Sequence, residues 1–320
     1  MAKCPSFEPA GVIPACLLPF DADYAIDEAE YRRHLGHLAA VPGLAAITTN
    51  AHAAEVHALT FDEQRRVLDL TLEAVGDRLP VISGVYTDSS LAAAEIARMA
   101  AAGGASALLV FPPNSMLMGG QLRPEMALAH FKRIADATDL PLILFQYPLA
   151  GGLGYPFETL LRILDQVPSV RAIKDWCNDP MLHQRHIRTL HALPRPVKVL
   201  STHSAWLMSS LVMGCDGLLS GAGSVIADLQ SALWRALQAK DLAAAQAIDA
   251  RIYPLAQAFY AAPFLDMHNR MKEALVLLGR LERAIVRPPL MKLAPAEIER
   301  LRKALQEARI AEAGALDLAA

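Results

Sequence analysis

One lysine stands out among the residues whose chemistry could support a reaction. The chain has eight lysines, and most fall on predicted helix faces, tails or loops, whereas Lys174 directly follows an apolar run. A desolvated ammonium group at such a place has a lowered pKa, and the neutral amine can attack a carbonyl carbon to form a Schiff base. The alternative is a lysine paired with a carboxylate such as Asp175. Lys198, near the start of the next apolar run, is a weaker candidate.

A histidine-containing loop offers a second kind of chemistry. His52, Glu55 and His57 form the pattern H-x-x-E-x-H, and imidazole and carboxylate groups are ligands of zinc and manganese. No second cluster of this kind accompanies it, so a polar loop without metal is the favoured interpretation. His183 and His186 are expected on a solvated helix face.

The elements that must position these residues alternate along the chain. Eight short apolar runs are separated by segments with helical spacing, and continuous apolar strands between helices are typical of a parallel sheet. Eight such units predict an α/β fold, a closed (β/α)8 TIM barrel, whose functional side chains stand at the C-terminal ends of the strands. The predicted strands are Val12–Leu18, Leu44–Thr48, Pro80–Val85, Ala107–Phe111, Leu142–Phe145, Val170–Ile173, Val197–Ser201 and Gly217–Ser220.

The strands stop near residue 240. Residues 241–262, 265–283 and 295–313 are predicted as three further helices, separated by Pro263 and the Arg287-Pro288-Pro289 turn. We therefore expect a barrel over residues 1–240 and a three-helix C-terminal extension over 241–320. The extension should pack on the barrel or on a partner subunit.

Composition excludes several classes of protein. The chain is 53% hydrophobic and 20% charged, which argues against a disordered protein. Its net charge of −3 gives no indication of a basic surface that would bind nucleic acid. Polar residues interrupt the longest charge-free stretch, so no membrane span is predicted. Four cysteines without a C-x-x-C pair and an N-terminus without an apolar run favour the cytoplasm.

Motifs spread over nearly the whole chain resemble the dihydrodipicolinate synthase/N-acetylneuraminate lyase family. No single motif is specific, but their order and spacing are. They are Gly-Val-Ile-Pro-Ala-Cys-Leu-Leu-Pro-Phe (11–20), Leu-Thr-Phe-Asp-Glu-Gln-Arg (59–65), Pro-Val-Ile-Ser-Gly-Val (80–85), Gly-Ala-Ser-Ala-Leu-Leu-Val-Phe-Pro-Pro (104–113), Ala-Ile-Lys-Asp (172–175), Lys-Glu-Ala-Leu-Val-Leu-Leu-Gly (272–279) and the closing Arg-Pro-Pro-Leu…Leu turn (287–293).

The resemblance implies a barrel with a helical extension, assembled as a homotetramer or a homodimer. It also implies that a 2-oxo acid binds covalently to Lys174 without a metal or an organic cofactor. The expected function is therefore an aldolase or hydro-lyase that acts on pyruvate or a longer 2-oxo sugar acid. The rival hypotheses are a metal-dependent barrel hydrolase or aldolase that uses His52, Glu55 and His57, and an inactive family member that binds a ligand.

The substrate end departs from the family pattern. The family's Gly-Thr-Thr-Gly-Glu loop, which binds the substrate carboxylate, corresponds to residues 51–55, so both hydroxyl groups are absent. The acid/base tyrosine of the family corresponds to Phe145, and Tyr147 lies two residues further on, on the same face of an extended strand. The resemblance thus leaves proton transfer to Tyr147 or His52.

Further positions distinguish the chain from members of known activity. Ala150 stands where dihydrodipicolinate synthases carry an arginine, and Pro113-Asn114 replaces their neighbouring tyrosine. We therefore expect no dihydrodipicolinate synthase activity, and the sialic-acid lyase pattern fails at the same tyrosine. The residues expected to bind the substrate are Ala53, Ala54, Glu55, Asn114, Phe145, Ser220 and Gly221.

Overall fold

A computed structural model of the chain describes residues 7–310. Eight strands form one parallel sheet in the order β1-β8-β7-β6-β5-β4-β3-β2. The strands are β1 (Gly11–Pro14), β2 (Ile47–Thr49), β3 (Val81–Val85), β4 (Ala107–Val110), β5 (Leu142–Gln146), β6 (Val170–Asp175), β7 (Lys198–Ser201) and β8 (Gly217–Ser220).

The sheet closes on itself between its first two strands. The amide of Cys16 donates to the carbonyl of Thr48 at 2.8 Å, and the amide of Ala45 donates to the carbonyl of Val12 at 2.9 Å. The predicted (β/α)8 TIM barrel is therefore confirmed, and all eight predicted strands lie at or within a few residues of their expected positions.

Helices follow the strands and cover the outside of the barrel. They are α1 (Glu28–Ala39), α2 (Phe61–Val75), α3 (Ser90–Gly103), α4 (Pro124–Ala135), α5 (Phe157–Gln166), α6 (Pro180–His191), α7 (Leu207–Val212) and α8 (Gly223–Gln238). Local sequence sets their ends. Thr60 and Glu63 form a reciprocal capping box at the start of α2, and Gly104 takes a φ of +103° to end α3.

The most consequential difference from the prediction lies in β6. The strand continues two residues beyond Ile173, because Lys174 and Asp175 still pair with the neighbouring strands. Lys174 lies opposite Phe145 of β5 and Leu200 of β7. The lysine thus belongs to the barrel wall itself rather than to a loop after it.

Three helices extend the barrel after residue 240. They are α9 (Leu242–Phe259), α10 (Met267–Leu277) and α11 (Pro295–Glu307); residues 311–313, at the end of the third predicted helix, lie outside the described residues. Both α9 and α10 pack on α8, and α11 packs on α9 and α10. The fully buried Arg270 of α10 links this helix to the segment that follows α9, because it donates to the carbonyls of Ala261 and Pro263.

Between residues 7 and 310, no helix combines the length and the apolar character that crossing a membrane requires.

Substitution of Gly84 in β3 tests how tightly this strand packs against the loop that follows β2. A Cβ atom at this position would lie 1.8 Å from the carbonyl oxygen of Asn50, and a backbone atom cannot yield as a flexible side chain can. We expect Gly84→Ala to lower the free energy of unfolding by about 1–3 kcal/mol or more. Urea denaturation followed by circular dichroism measures the change.

The matched control is Gly36→Ala in α1, where a Cβ atom meets nothing within 4 Å. Alanine favours a helix over glycine by about 1 kcal/mol, so this variant should be as stable as the parent or more stable. Equal stability of the two variants would show that the contact between β3 and residue 50 is not a tight one.

Candidate active site

A cavity of about 360 Å³ opens at the end of the barrel where the strands terminate. This is the face on which a barrel of this type carries its functional side chains. Its lining residues are His52, Phe145, Lys174, Trp176, Asn178, Thr202, His203, Ser204, Ala205, Trp206, Gly221, Tyr260, Phe264, Met267 and His268.

Lys174 reaches this cavity as a buried amine. Its side chain is almost entirely excluded from solvent, and burial lowers its pKa from 10.5 to about 7. The Nζ atom lies 4.1 Å from the centre of the Phe145 ring. The lowered pKa makes the neutral, nucleophilic form of the amine accessible at neutral pH.

The alternative interpretation, in which Lys174 pairs with Asp175, is wrong for this chain. Successive side chains of a strand point to opposite faces, so Asp175 faces away from the cavity. Its oxygens instead accept hydrogen bonds from His183, His186 and the Cys177 amide. Within residues 7–310, Lys174 forms no ion pair.

His52 and Tyr147, the two candidates for proton transfer, contact each other. The Tyr147 hydroxyl lies 3.1 Å from His52 Nε2. Burial, together with the nearby Lys174, lowers the pKa of His52 to about 3, and burial raises the pKa of Tyr147. Both side chains are neutral at pH 7. His52 borders the cavity, whereas Tyr147 lies behind it.

Phe145 connects the lysine to this pair. Its ring stacks at a tilt against Tyr147, with 4.4 Å between centroids, while Lys174 sits on the same ring. Phe111 also packs against both His52 and Phe145. The position expected to correspond to the family's tyrosine is therefore an apolar ring, and Tyr147 packs against it.

The loop after β2 is held by the C-terminal extension. Glu55 takes a left-handed conformation with φ of 53°, and its carboxylate is buried. One oxygen forms a short ion pair with Lys272 of α10, and the other accepts from the Arg287 amide at 2.9 Å. The carboxylate expected to bind substrate is thus engaged with the extension, and it positions the loop.

The remaining predicted residues divide between the cavity and its surroundings. Gly221 borders the cavity, and a Cβ atom there would lie 3.0 Å from His268 Nε2. Ala53 and Ala54 are buried beneath His52, and the Ala54 amide already donates to the Ala51 carbonyl. Two others bond elsewhere: the Asn114 amide group donates to the Tyr86 hydroxyl, and the Ser220 hydroxyl accepts from Gln230.

The extension supplies lining residues that the sequence did not indicate. Tyr260, Phe264, Met267 and His268 come from the end of α9 and the start of α10. Burial, together with His52 and Lys174, lowers the pKa of His268 well below its usual value. Sequence analysis did not predict these four residues as part of the site, because they lie far along the chain from the barrel strands. The only available signal was three aromatic or imidazole side chains within nine residues.

The metal-ligand pattern His52, Glu55, His57 does not assemble into a donor set. Glu55 is buried against Lys272, and His57 is exposed. The expectation for His183 and His186 is also wrong: both are fully buried on α6 and hydrogen-bonded to Asp175. Their partner comes from a strand, which helix periodicity alone does not reveal.

Known proteins are similar to this chain along most of its length. Residues 8–308 match the Dihydrodipicolinate synthetase family. The chain is 31% identical over 304 residues to the 4-hydroxy-tetrahydrodipicolinate synthase of Kineococcus radiotolerans, with 94% of each chain covered. It is 30% identical over 296 residues to the enzyme of that name from Moorella thermoacetica, which covers 92% of this chain and 97% of the relative.

Solved structures show the same fold. Dihydrodipicolinate synthase from Thermotoga maritima has a TM-score of 0.85 at 24% identity, over 94% of this chain and 98% of that one. A prophage protein of E. coli K12 that belongs to the dihydrodipicolinic acid synthase family, solved in complex with pyruvate, also has a TM-score of 0.85. It is 23% identical, over 94% of this chain and 99% of its own.

The Glu55–Lys272 pair generates a stability prediction. Lys272→Met removes the amine and leaves a buried carboxylate without its partner, which typically costs 3–5 kcal/mol of folding free energy. We expect a loss of that order in urea denaturation. The double variant Glu55→Gln/Lys272→Met should recover part of the loss, because it no longer buries an unpaired charge. Equal losses in both variants would contradict the role of the ion pair.

Proposed function

The chain belongs to the dihydrodipicolinate synthetase family, whose members are aldolase-type lyases, and we propose that its own reaction proceeds through an imine on Lys174. The observation that carries the proposal is a buried amine with a pKa near 7 at the border of a cavity at the C-terminal face of the barrel. The substrate class is a 2-oxo acid such as pyruvate.

In the proposed reaction, the Lys174 nitrogen attacks the ketone carbon of the 2-oxo acid. A C–N bond forms, the carbonyl oxygen takes up two protons, one of them lost by the attacking nitrogen, and water leaves to give an iminium ion. The iminium accepts the electron pair of a C–C or C–H bond at the neighbouring carbon, so that an aldehyde or a proton is released and an enamine forms. In a hydro-lyase, the electron pair of that enamine then expels a hydroxyl group from the next carbon as water, with a proton taken from the acid. Protonation and hydrolysis of the enamine-derived imine then release the product and restore the amine.

We assign the proton transfer to His52, with Tyr147 as the residue that positions it. His52 borders the cavity and Tyr147 does not. When His52 carries its hydrogen on Nε2 and donates it to Tyr147, the Nδ1 lone pair is free to accept a proton. The amides of the turn at residues 52–53 would hold the substrate carboxylate.

The residues of the cavity wall favour binding of a second substrate that carries an uncharged, apolar substituent. Trp176 stacks on Phe264 with 5.1 Å between ring centroids, and Trp206 and Met267 complete this side. Among the described lining residues, Lys174 is the sole lysine, and the lining contains no arginine and no carboxylate. A second carboxylate on the substrate would lack a cationic partner, so the proposed activity differs from dihydrodipicolinate synthesis.

The homotetramer or homodimer expected from the resemblance remains a proposal. A solved family relative that covers 94% of this chain is itself described as a monomeric variant. Light scattering on the full chain measures the assembly directly.

Trapping of the imine tests the role of Lys174. We expect borohydride reduction in the presence of pyruvate to add one pyruvate-derived group to Lys174, identified by peptide mass mapping. Because the amine becomes neutral above its pKa, the trapping rate should rise through pH 7 and level off above about pH 8. An ordinary lysine would continue to gain reactivity up to about pH 10.

The control variant is Lys198→Met, which removes a partly exposed lysine paired with Asp216 and should trap pyruvate normally. Lys174→Met should trap none. Absence of an adduct on Lys174 in the parent protein with any 2-oxo acid would contradict the proposal and favour a ligand-binding member without catalysis.

Deuterium exchange tests the assignment of His52 without knowledge of the second substrate. Enamine formation exchanges the methyl protons of pyruvate with solvent, and NMR follows their loss in D2O. We expect His52→Ala to slow the exchange by about 10²–10⁴-fold, the usual contribution of a general base. Tyr147→Phe should slow it less, because His52 remains.

Imine trapping in the same two variants separates the proton transfer from binding. Both should still form the Lys174 adduct. A larger loss of exchange in Tyr147→Phe than in His52→Ala would assign the base to the tyrosine.

A further inference from the structure

A buried polar cluster lies behind β6, on the opposite side of the strand from Lys174. Asp175 points from β6 toward α6, where it meets His183 and His186. These three side chains have no solvent exposure, and Cys177 and His203 are at most 5% exposed. The proposed imine chemistry uses none of the five.

The contacts within the cluster are short. Asp175 Oδ2 lies 2.7 Å from His183 Nδ1 and 2.8 Å from His186 Nδ1. On the other side, Cys177 Sγ lies 3.7 Å from His203 Nε2. The rings of His183 and His203 adjoin each other, with centroids 4.4 Å apart.

These side chains include a complete set of metal-ligand atoms. One ligand atom from each of Asp175, Cys177, His183 and His203 lies within 4.8 Å of every other. Neighbouring ligands of a tetrahedral zinc ion, with bonds of about 2.0–2.3 Å, lie about 3.3–3.6 Å apart. The four donors therefore need movements of about 1 Å to enclose an ion.

We propose that Asp175, Cys177, His183 and His203 bind one Zn²⁺ ion in a closed tetrahedral site. One thiolate, one carboxylate and two neutral imidazoles match the charge of the ion and the ligand types that zinc prefers. Within residues 7–310, this is the one group of histidine, cysteine and acidic side chains whose donor atoms converge.

The neighbouring groups suit such an ion. The ion takes the place of the hydrogen that Asp175 and His183 share, and the His183 hydrogen moves to Nε2, which lies 2.9 Å from the Ser210 hydroxyl. His186 keeps its hydrogen bond to Asp175 and so orients the carboxylate toward the ion. Binding releases one proton, from the Cys177 thiol.

The site is structural rather than catalytic. Four protein ligands leave no open position for substrate, and Lys174 is not among them. The ligands come from the end of β6, from α6 and from the segment after β7, so the ion would join three separate elements. Trp176 lies between two ligands in sequence, and His203 borders the cavity, so the ion would fix one wall of the active site.

A hydrolytic role for the same cluster is excluded by access. Ser210, His183 and Asp175 are hydrogen-bonded in the order of a serine hydrolase triad. All three are fully buried, and none lines the cavity beside Lys174. A substrate therefore has no path to the serine hydroxyl among the described residues.

Metal binding by the full chain tests the proposal. After treatment with a chelator, titration with Zn²⁺ should reach one ion per chain and raise the melting temperature. Co²⁺ in place of zinc should give the absorption bands of a tetrahedral ion and a thiolate-to-cobalt charge-transfer band. Cys177→Ser should abolish that band and weaken zinc binding at least about 100-fold, beyond the loss typical of a second-shell change.

The matched control is Cys16→Ser, which replaces a buried thiol after β1 and should leave the zinc stoichiometry and the cobalt spectrum unchanged. Wild-type protein that binds less than one zinc, or gives no thiolate band with cobalt, overturns the proposal. Unchanged zinc affinity in Cys177→Ser overturns it as well.

Imine trapping with pyruvate separates this proposal from the proposed function. An adduct on Lys174 without zinc binding overturns the metal site alone. Zinc binding without an adduct overturns the role of Lys174 alone.

Discussion

The alternation of side chains along β6 is the constraint on which the rest of this structure depends. Lys174 and Asp175 are adjacent in sequence, yet a strand sends them to opposite faces of the barrel wall. The carboxylate is satisfied by two histidines behind the wall, and the amine faces the cavity without a counter-charge. If the two groups shared one face, they would pair, and the lysine would remain a protonated cation.

The C-terminal extension contributes to the candidate site as well as packing on the barrel. Lys272 of α10 holds the loop that carries His52, through the buried Glu55, while Tyr260, Phe264 and His268 line the cavity. Stability and site geometry are therefore linked. The same buried ion pair that joins the extension to the barrel also orients the loop that presents the proposed base.

The candidate site combines a buried amine with apolar surroundings. Phe145 provides an apolar floor where a hydroxyl is expected, and the hydroxyl of Tyr147 is bonded to His52. Aromatic stacking continues through Trp176 and Phe264 into the extension. These rings offer dispersion contacts to a group bound in the cavity.

The sequence by itself predicted the barrel, the C-terminal helices and the position of Lys174 near the C-terminal end of a strand. Strand and helix periodicity and the order of motifs are local properties, so they can be read along the chain. Only the tertiary structure showed that Glu55 pairs with Lys272, more than two hundred residues away, and that His183 and His186 meet Asp175 behind the wall. The physical reason is that ionisation and hydrogen bonding depend on burial and on partners brought together by folding, which no spacing in the sequence records.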